Sequence, residues 1–169
     1  MNDPKTKETD GEIRRINGQL HELTPVLDEA GNLIAHDLRP LQLELTFQDR
    51  VQIIVGATIL AIPMAFTEEV WDLGAEISWA SAVSLALLSL LFIGLFVYVN
   101  SYQRHIRLYR GQYFARVVST YVFSLLVVGV MLTIIGKAPW AADTALALKR
   151  TIIAALPASM SATVTDTIT

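Results

Sequence analysis

Four carboxylates stand where the first long apolar run of the chain ends. Val51 to Phe66 reads VQIIVGATILAIPMAF, sixteen residues without a charge, and TEEVWDLGAEI follows directly with Glu68, Glu69, Asp72 and Glu76. On a helix, Glu69, Asp72 and Glu76 follow i, i+3, i+7 spacing and share a face. Converging carboxylates replace part of a cation's hydration shell, which is how rings of Asp or Glu select cations. Hard oxygen donors suit Ca²⁺ or Mg²⁺ better than softer metals. This spacing predicts an acidic mouth in which Glu68, Glu69, Asp72 and Glu76 line an ion pathway and Glu69, Asp72 and Glu76 ligate a metal. The bland alternative is a solvated loop that keeps the end of a helical hairpin in water. A second polar set, Ser159, Thr163 and Asp166, lies in the last apolar stretch, TIIAALPASMSATVTDTI. A carboxylate inside a membrane bundle is costly and is usually paired or functional; the alternative places Asp166 in interfacial water.

Other chemistry finds little support. No Ser–His–Asp set, HExxH, Gly-rich phosphate loop or paired-His site can be assembled, so neither catalytic residues nor an enzyme activity are expected. Cysteine is absent, which removes disulfides, thiolate nucleophiles and thiolate metal sites. Three scattered histidines support no zinc centre. No cofactor is expected beyond a bound cation such as Ca²⁺. No basic stretch with interleaved aromatics suggests nucleic acid. The expected partners are the lipid bilayer and further copies of the chain, since a four-helix protomer is too small for an obvious internal pathway.

The elements that would hold these residues are membrane spans. Apolar residues make up 53% of the 169, charged ones 17%, and the mean hydropathy is +0.45. Residues 1–50 hold ten acids against six bases, while the remainder is nearly neutral. The N-terminus has no apolar h-region, so the first span must direct insertion. Spans are expected at about 51–70, 77–98, 113–135 and 151–168, each near the length a ~30 Å hydrocarbon core requires. In the first, Gly56, Ala57 and Ala61 would let a neighbouring helix approach closely, and Pro63 would bend the outer end. Trp71 and Trp79 suit the headgroup level. The fourth carries Pro157, serines, threonines and Asp166, a composition fit for a helix enclosed by others; a re-entrant or interfacial segment is the alternative. APWAADTALALKR before it reads as a short interfacial helix anchored by Trp140.

Ahead of the spans, residues 1–48 read as a small head. Ile13, Ile16, Leu20 and Leu23 step by three, four and three, as in an a/d seam on a short helix that Pro25 ends; an amphipathic helix packed on its own domain is the rival. PVLDEAGNLIAH reads as a hairpin. LQLELTFQ alternates with period two and reads as a third strand, with an interfacial segment as rival. The loop SYQRHIRLYRGQYFAR carries Arg104, Arg107, Arg110 and Arg116 without an acid, which places it and the head in the cytoplasm. Lys149 and Arg150, on the outer side, run against that bias.

With the spans placed, two strings carry a resemblance: Ile62-Pro63-Met64-Ala65-Phe66-Thr67-Glu68-Glu69-Val70-Trp71, and Leu156-Pro157-Ala158-Ser159 with Asp166 after it. They resemble a prokaryotic family of integral membrane proteins of unknown function, over the membrane body from about residue 50 and not over the head. The resemblance implies a prokaryotic inner-membrane location and supplies no activity. Trp71-Asp72-Leu73-Gly74-Ala75-Glu76 is also similar, in chemistry and not in descent, to the Trp-Asp pair followed by Glu at calcium uniporter mouths; here the Glu comes one residue later and no Pro follows. The fold expected is an all-α integral membrane protein, a four-helix transmembrane bundle on residues 49–169 with a small N-terminal cytoplasmic α+β head. The function expected is a homo-oligomeric cation channel extending to divalent ions. Its rivals are a non-conducting scaffold or sensor and a small proton-coupled transporter.

Overall fold

The computed structural model describes residues 12–16, 19–27, 33–40, 45–102 and 109–167. The chain divides between Glu44 and Leu45 into two units.

In the first unit, strands β1 (Glu12–Ile16), β2 (Gln19–Leu27) and β3 (Leu33–Pro40) form an antiparallel sheet in the order β1-β2-β3. The hairpin expected around residues 25–36 is present as the β2–β3 pair, with a register shift between Val26 and Leu27. The short helix over Ile13 to Leu23 is not formed. Ile16 pairs with Gln19, leaving Asn17-Gly18 between them, the dipeptide that most strongly favours a two-residue hairpin. In strands a three-four-three spacing no longer gathers one face, so the a/d seam has no structural basis. Pro25 does not end its segment either. It lies within β2 opposite His36, beyond the last β1–β2 pair at Leu23, where the lack of a second neighbour makes a missing N–H tolerable. Of the third strand expected over LQLELTFQ, Leu41–Glu44 lie outside the described residues, and Phe47 and Gln48 are helical.

The second unit is helical. Thr46 caps α1 (Phe47–Ala65) through a reciprocal box with Asp49: Asp49 N donates to Thr46 Oγ1 at 3.3 Å, and Thr46 N to Asp49 Oδ2 at 2.8 Å. The first span does not continue to residue 70. After Pro63 the helix stops at Ala65, and α2 (Glu68–Glu76) leaves at 83°. Trp71 Nε1 donates to Ala65 O at 2.9 Å, and Thr67 Oγ1 to Pro63 O at 2.6 Å, so side chains hold the carbonyls that the break frees.

Helix α3 (Trp79–Val97), capped by Ser78, is followed by a π turn at Tyr98–Tyr102. Next come α4 (Arg110–Ile134), closed by Gly136 at φ 72°, and α5 (Thr144–Thr167). Helix α5 begins seven residues earlier than the sequence suggested. The interfacial helix expected before it is a turn-rich link whose last part is already α5, with Asp143 Oδ1 accepting from Leu146 N at 2.9 Å. Trp140 sits in that link and donates to Thr133 Oγ1 at 2.7 Å.

By length and apolarity α3 and α4 can each cross a membrane, and the bent α1–α2 pair makes a third candidate. Helix α5 spans ~36 Å but is too polar to qualify. Its place explains its composition: it packs against α1, α2, α3 and α4, and Ala154, Ala155, Ala158 and Ala162 are completely buried. On α1, Gly56, Ala57, Ala61 and Ala65 are buried as well. A Cβ on Gly56 would lie 2.6 Å from Thr165 Oγ1 and 2.9 Å from Ala162 Cα, the close approach that small residues permit. Large apolar side chains such as Ile59, Leu87, Leu91 and Leu126 point outward, as suits a lipid solvent. The bundle thus has a near end, where α1 begins and α5 finishes, and a far end, where α1 finishes and α5 begins.

Candidate functional site

Two polar assemblies occupy the two ends. At the near end, the second turn of α4 carries Arg116 into the bundle and the last turn of α5 brings Asp166 to meet it. Arg116 Nε donates to Asp166 Oδ2 at 2.8 Å and Nη2 to Oδ1 at 3.0 Å, a two-pronged pair with each side chain 1% exposed. Asp49, from the first turn of α1, places Oδ2 3.5 Å from Arg116 Nη2 and is 13% exposed. The Tyr102 phenol accepts a hydrogen bond from Arg116; burial pushes its pKa up, and the guanidinium offsets this only in part. It therefore stays a neutral phenol at ordinary pH. The cluster draws α1, the turn after α3, α4 and α5 onto one guanidinium, with one more carboxylate than cation among these groups.

Hydroxyls run from this cluster into the bundle. Thr120 and Ser124 follow Arg116 at four-residue steps on α4, while Ser159 and Thr163 precede Asp166 on α5, and all four are buried. Each donates to a carbonyl of its own helix: Thr120 to Arg116, Ser124 to Thr120, Ser159 to Leu156 and Thr163 to Ser159, at 2.6–2.9 Å. Their protons are satisfied locally, and their oxygen lone pairs remain as acceptors inside the bundle. The fourth-span polar set read from the sequence is thus enclosed, and Asp166 is not in interfacial water.

The acidic set lies at the far end. Glu68, Glu69, Asp72 and Glu76 are all exposed on α2, which turns Val70 and Gly74 inward. Within one chain, no three His, Cys, Asp or Glu among the described residues are grouped so as to hold a metal. Glu76 borders a groove of about 820 Å³ whose other lining includes Ser78, Ser81 and Ser84 on the first turns of α3. Three basic residues hold this end together. Arg150 donates from Nε to Trp71 O at 3.0 Å and from Nη1 to Lys137 O at 2.8 Å, and Lys149 donates to Ile77 O at 2.8 Å. Lys137 lies over the Trp71 ring at 3.9 Å, and Lys149 over Trp79 at 5.5 Å. Gly74 is required here, since a Cβ would fall 2.4 Å from Arg150 Cγ.

The sequence missed two things. It grouped Arg116 with the topology-setting loop, whereas Arg116 is buried on Asp166. It also left Asp49 unremarked, although Thr46-x-x-Asp49 is a capping-box pattern at the entry to an apolar run. Lys149 and Arg150, which run against the charge bias, are engaged by backbone carbonyls.

A helical body with two to three candidate spans, a tryptophan-bearing far end (Trp71, Trp79, Trp140) and a buried ion cluster defines an integral membrane protein. The chain belongs to the family described as "Putative integral membrane protein (DUF2391)", which matches residues 19–167 and so takes in β2 and β3 as well as the membrane body. No curated protein and no solved structure matches the chain.

Proposed function

We propose that the protein is a small proton-coupled cation transporter of the prokaryotic inner membrane, with α5 as a fourth crossing and the near end facing the cytoplasm. The observation that carries this reading is the near-end cluster. Asp166 is sealed against Arg116, while Asp49 offers that guanidinium a second carboxylate at 3.5 Å and is open to solvent at 13%. Ionisable groups inside a membrane bundle belong to ion and proton pathways in the general case. Asp49 and Asp166 compete for one guanidinium, and of the two carboxylates Asp49 is the one within reach of water. Arg50, Arg104, Arg107 and Arg110 favour the cytoplasm for this end. The test is proton movement in liposomes that hold an entrapped pH dye, with Na⁺, K⁺ or Ca²⁺ supplied on one side as the coupled cation. Wild type is expected to collapse an imposed gradient and Asp49→Asn to do so at least tenfold more slowly; equal rates would contradict the reading.

A second reading is favoured by a different feature. The exposed α2 acids continue through Glu76 into the serine-lined groove along α3. In a homo-oligomer around an axis, Glu68, Glu69, Asp72 and Glu76 would then form the outer mouth of a cation channel open to Ca²⁺. Glu69→Gln with Asp72→Asn would lower such a current and leave proton entry through the near end intact.

A further inference from the structure

Along the first turns of α3 one stripe of side chains changes from polar to apolar. Ser78, Ser81, Ser84, Leu85 and Leu88 lie on one side of the helix, and with Glu76 of α2 they line the far-end groove. From Ser78 to Leu88 the stripe is ~15 Å long, about half of a ~30 Å hydrocarbon core. A groove of that length suits an acyl chain of one leaflet. Trp79, at the first position of α3 and exposed, marks the headgroup level at its polar end.

The polar end offers both signs of charge. Glu76 is exposed, and among the described residues no cation pairs with its carboxylate. Lys149 reaches the rim from α5: it donates to Ile77 O at 2.8 Å, and Ile77 is part of the lining. That bond uses one of the three ammonium protons. Ser78 Oγ and Ser81 Oγ lie 3.0 Å apart, so one hydroxyl proton serves their contact and the other is available to a ligand oxygen. Ser84 instead donates to Ala80 O at 2.8 Å and presents acceptor lone pairs. A carboxylate, an ammonium and a hydroxyl donor thus stand at the head of an apolar track.

We propose that this groove is a binding site for a phospholipid whose headgroup carries a primary ammonium as well as a phosphate. The ammonium meets Glu76, the phosphate takes protons from Lys149 and the Ser78–Ser81 pair, and one acyl chain follows Leu85 and Leu88 toward the bilayer centre. A purely anionic headgroup would satisfy Lys149 but set like charge against Glu76. A simple cation would meet Glu76 and leave the apolar track unused. The site lies at the opposite end from the Arg116 cluster and rests on neither transport reading, because it is read from bound lipid without any gradient.

Native mass spectrometry of the full chain in detergent tests the site, with phosphatidylethanolamine and phosphatidylglycerol of identical acyl chains added in equal amounts. Wild type is expected to retain about threefold more of the ethanolamine lipid, or better. Glu76→Gln is expected to bring that ratio to about one, since a neutral amide no longer favours an ammonium. Lys149→Met should lower retention of both lipids, because both carry the phosphate, and Ser81→Leu should displace both by filling the stripe. Equal retention by wild type, a preference for phosphatidylglycerol, or a ratio unchanged by Glu76→Gln would overturn the site. So would retention indifferent to both Lys149→Met and Ser81→Leu. Glu76 and Ser81 are exposed, so their variants are expected to fold; should Lys149→Met fail to fold, the wild-type and Glu76→Gln ratios decide.

Discussion

A guanidinium 1% exposed among helices must find its partners inside the protein, and Arg116 finds Asp166, Asp49 and Tyr102. Removing one member of a buried pair leaves an uncompensated charge and costs about 3–5 kcal/mol, while replacing both by apolar residues of similar size is often close to neutral. Asp166→Asn is therefore expected to lower the unfolding midpoint in detergent more than the paired change Arg116→Met with Asp166→Leu. A double variant weaker than the single would show that the cluster stabilises the bundle beyond satisfying its own charges. Asp166 as a residue to watch was legible in the sequence, since a carboxylate in an apolar stretch stands out. Its partner was not, because Arg116 sits among arginines that mark a cytoplasmic loop equally well, and which of them turns inward depends on the helical phase of α4.

Among the elements, the small residues of α1 were readable from Gly56, Ala57 and Ala61, and Gly56 is the one that comes up against Ala162 and Thr165 of α5. Gly56→Leu is expected to drive α1 from α5 and to cost at least the ~1–3 kcal/mol typical of overpacking; an unchanged midpoint would show that the helices separate without loss. Gly74→Val should displace Arg150 and raise amide exchange in α2, whereas Ala75→Val, on the exposed side, should not. The break of the first span was half visible: Pro63 announced a bend, but the 83° turn depends on Trp71 and Thr67 reaching back to carbonyls, contacts that no local spacing reveals. The first hairpin was missed for a plainer reason. Ile13, Ile16, Leu20 and Leu23 fit helical spacing, and that pattern outweighed Asn17-Gly18, whose turn preference decides the pairing of β1 with β2.

For the whole molecule, the proposed function requires the near end to face the cytoplasm, with Lys149 and Arg150 on the outer side. In intact cells, an impermeant thiol reagent is expected to label Ala141→Cys, in the far-end link, and to spare Ala35→Cys on β3; the reverse pattern would invert the topology. On the proposed function, protons cross the membrane body through the near-end cluster. Ion entry into liposomes holding the purified full chain tests it most directly, under an imposed potential and pH gradient. Wild type, Asp49→Asn, Asp166→Asn and the triple change Glu69→Gln, Asp72→Asn, Glu76→Gln are compared at matched incorporation. Proton-linked flux is expected in wild type and in the triple variant, and its loss in both near-end variants; flux that survives Asp49→Asn and Asp166→Asn, or wild-type liposomes no leakier than empty ones, would overturn the transport proposal.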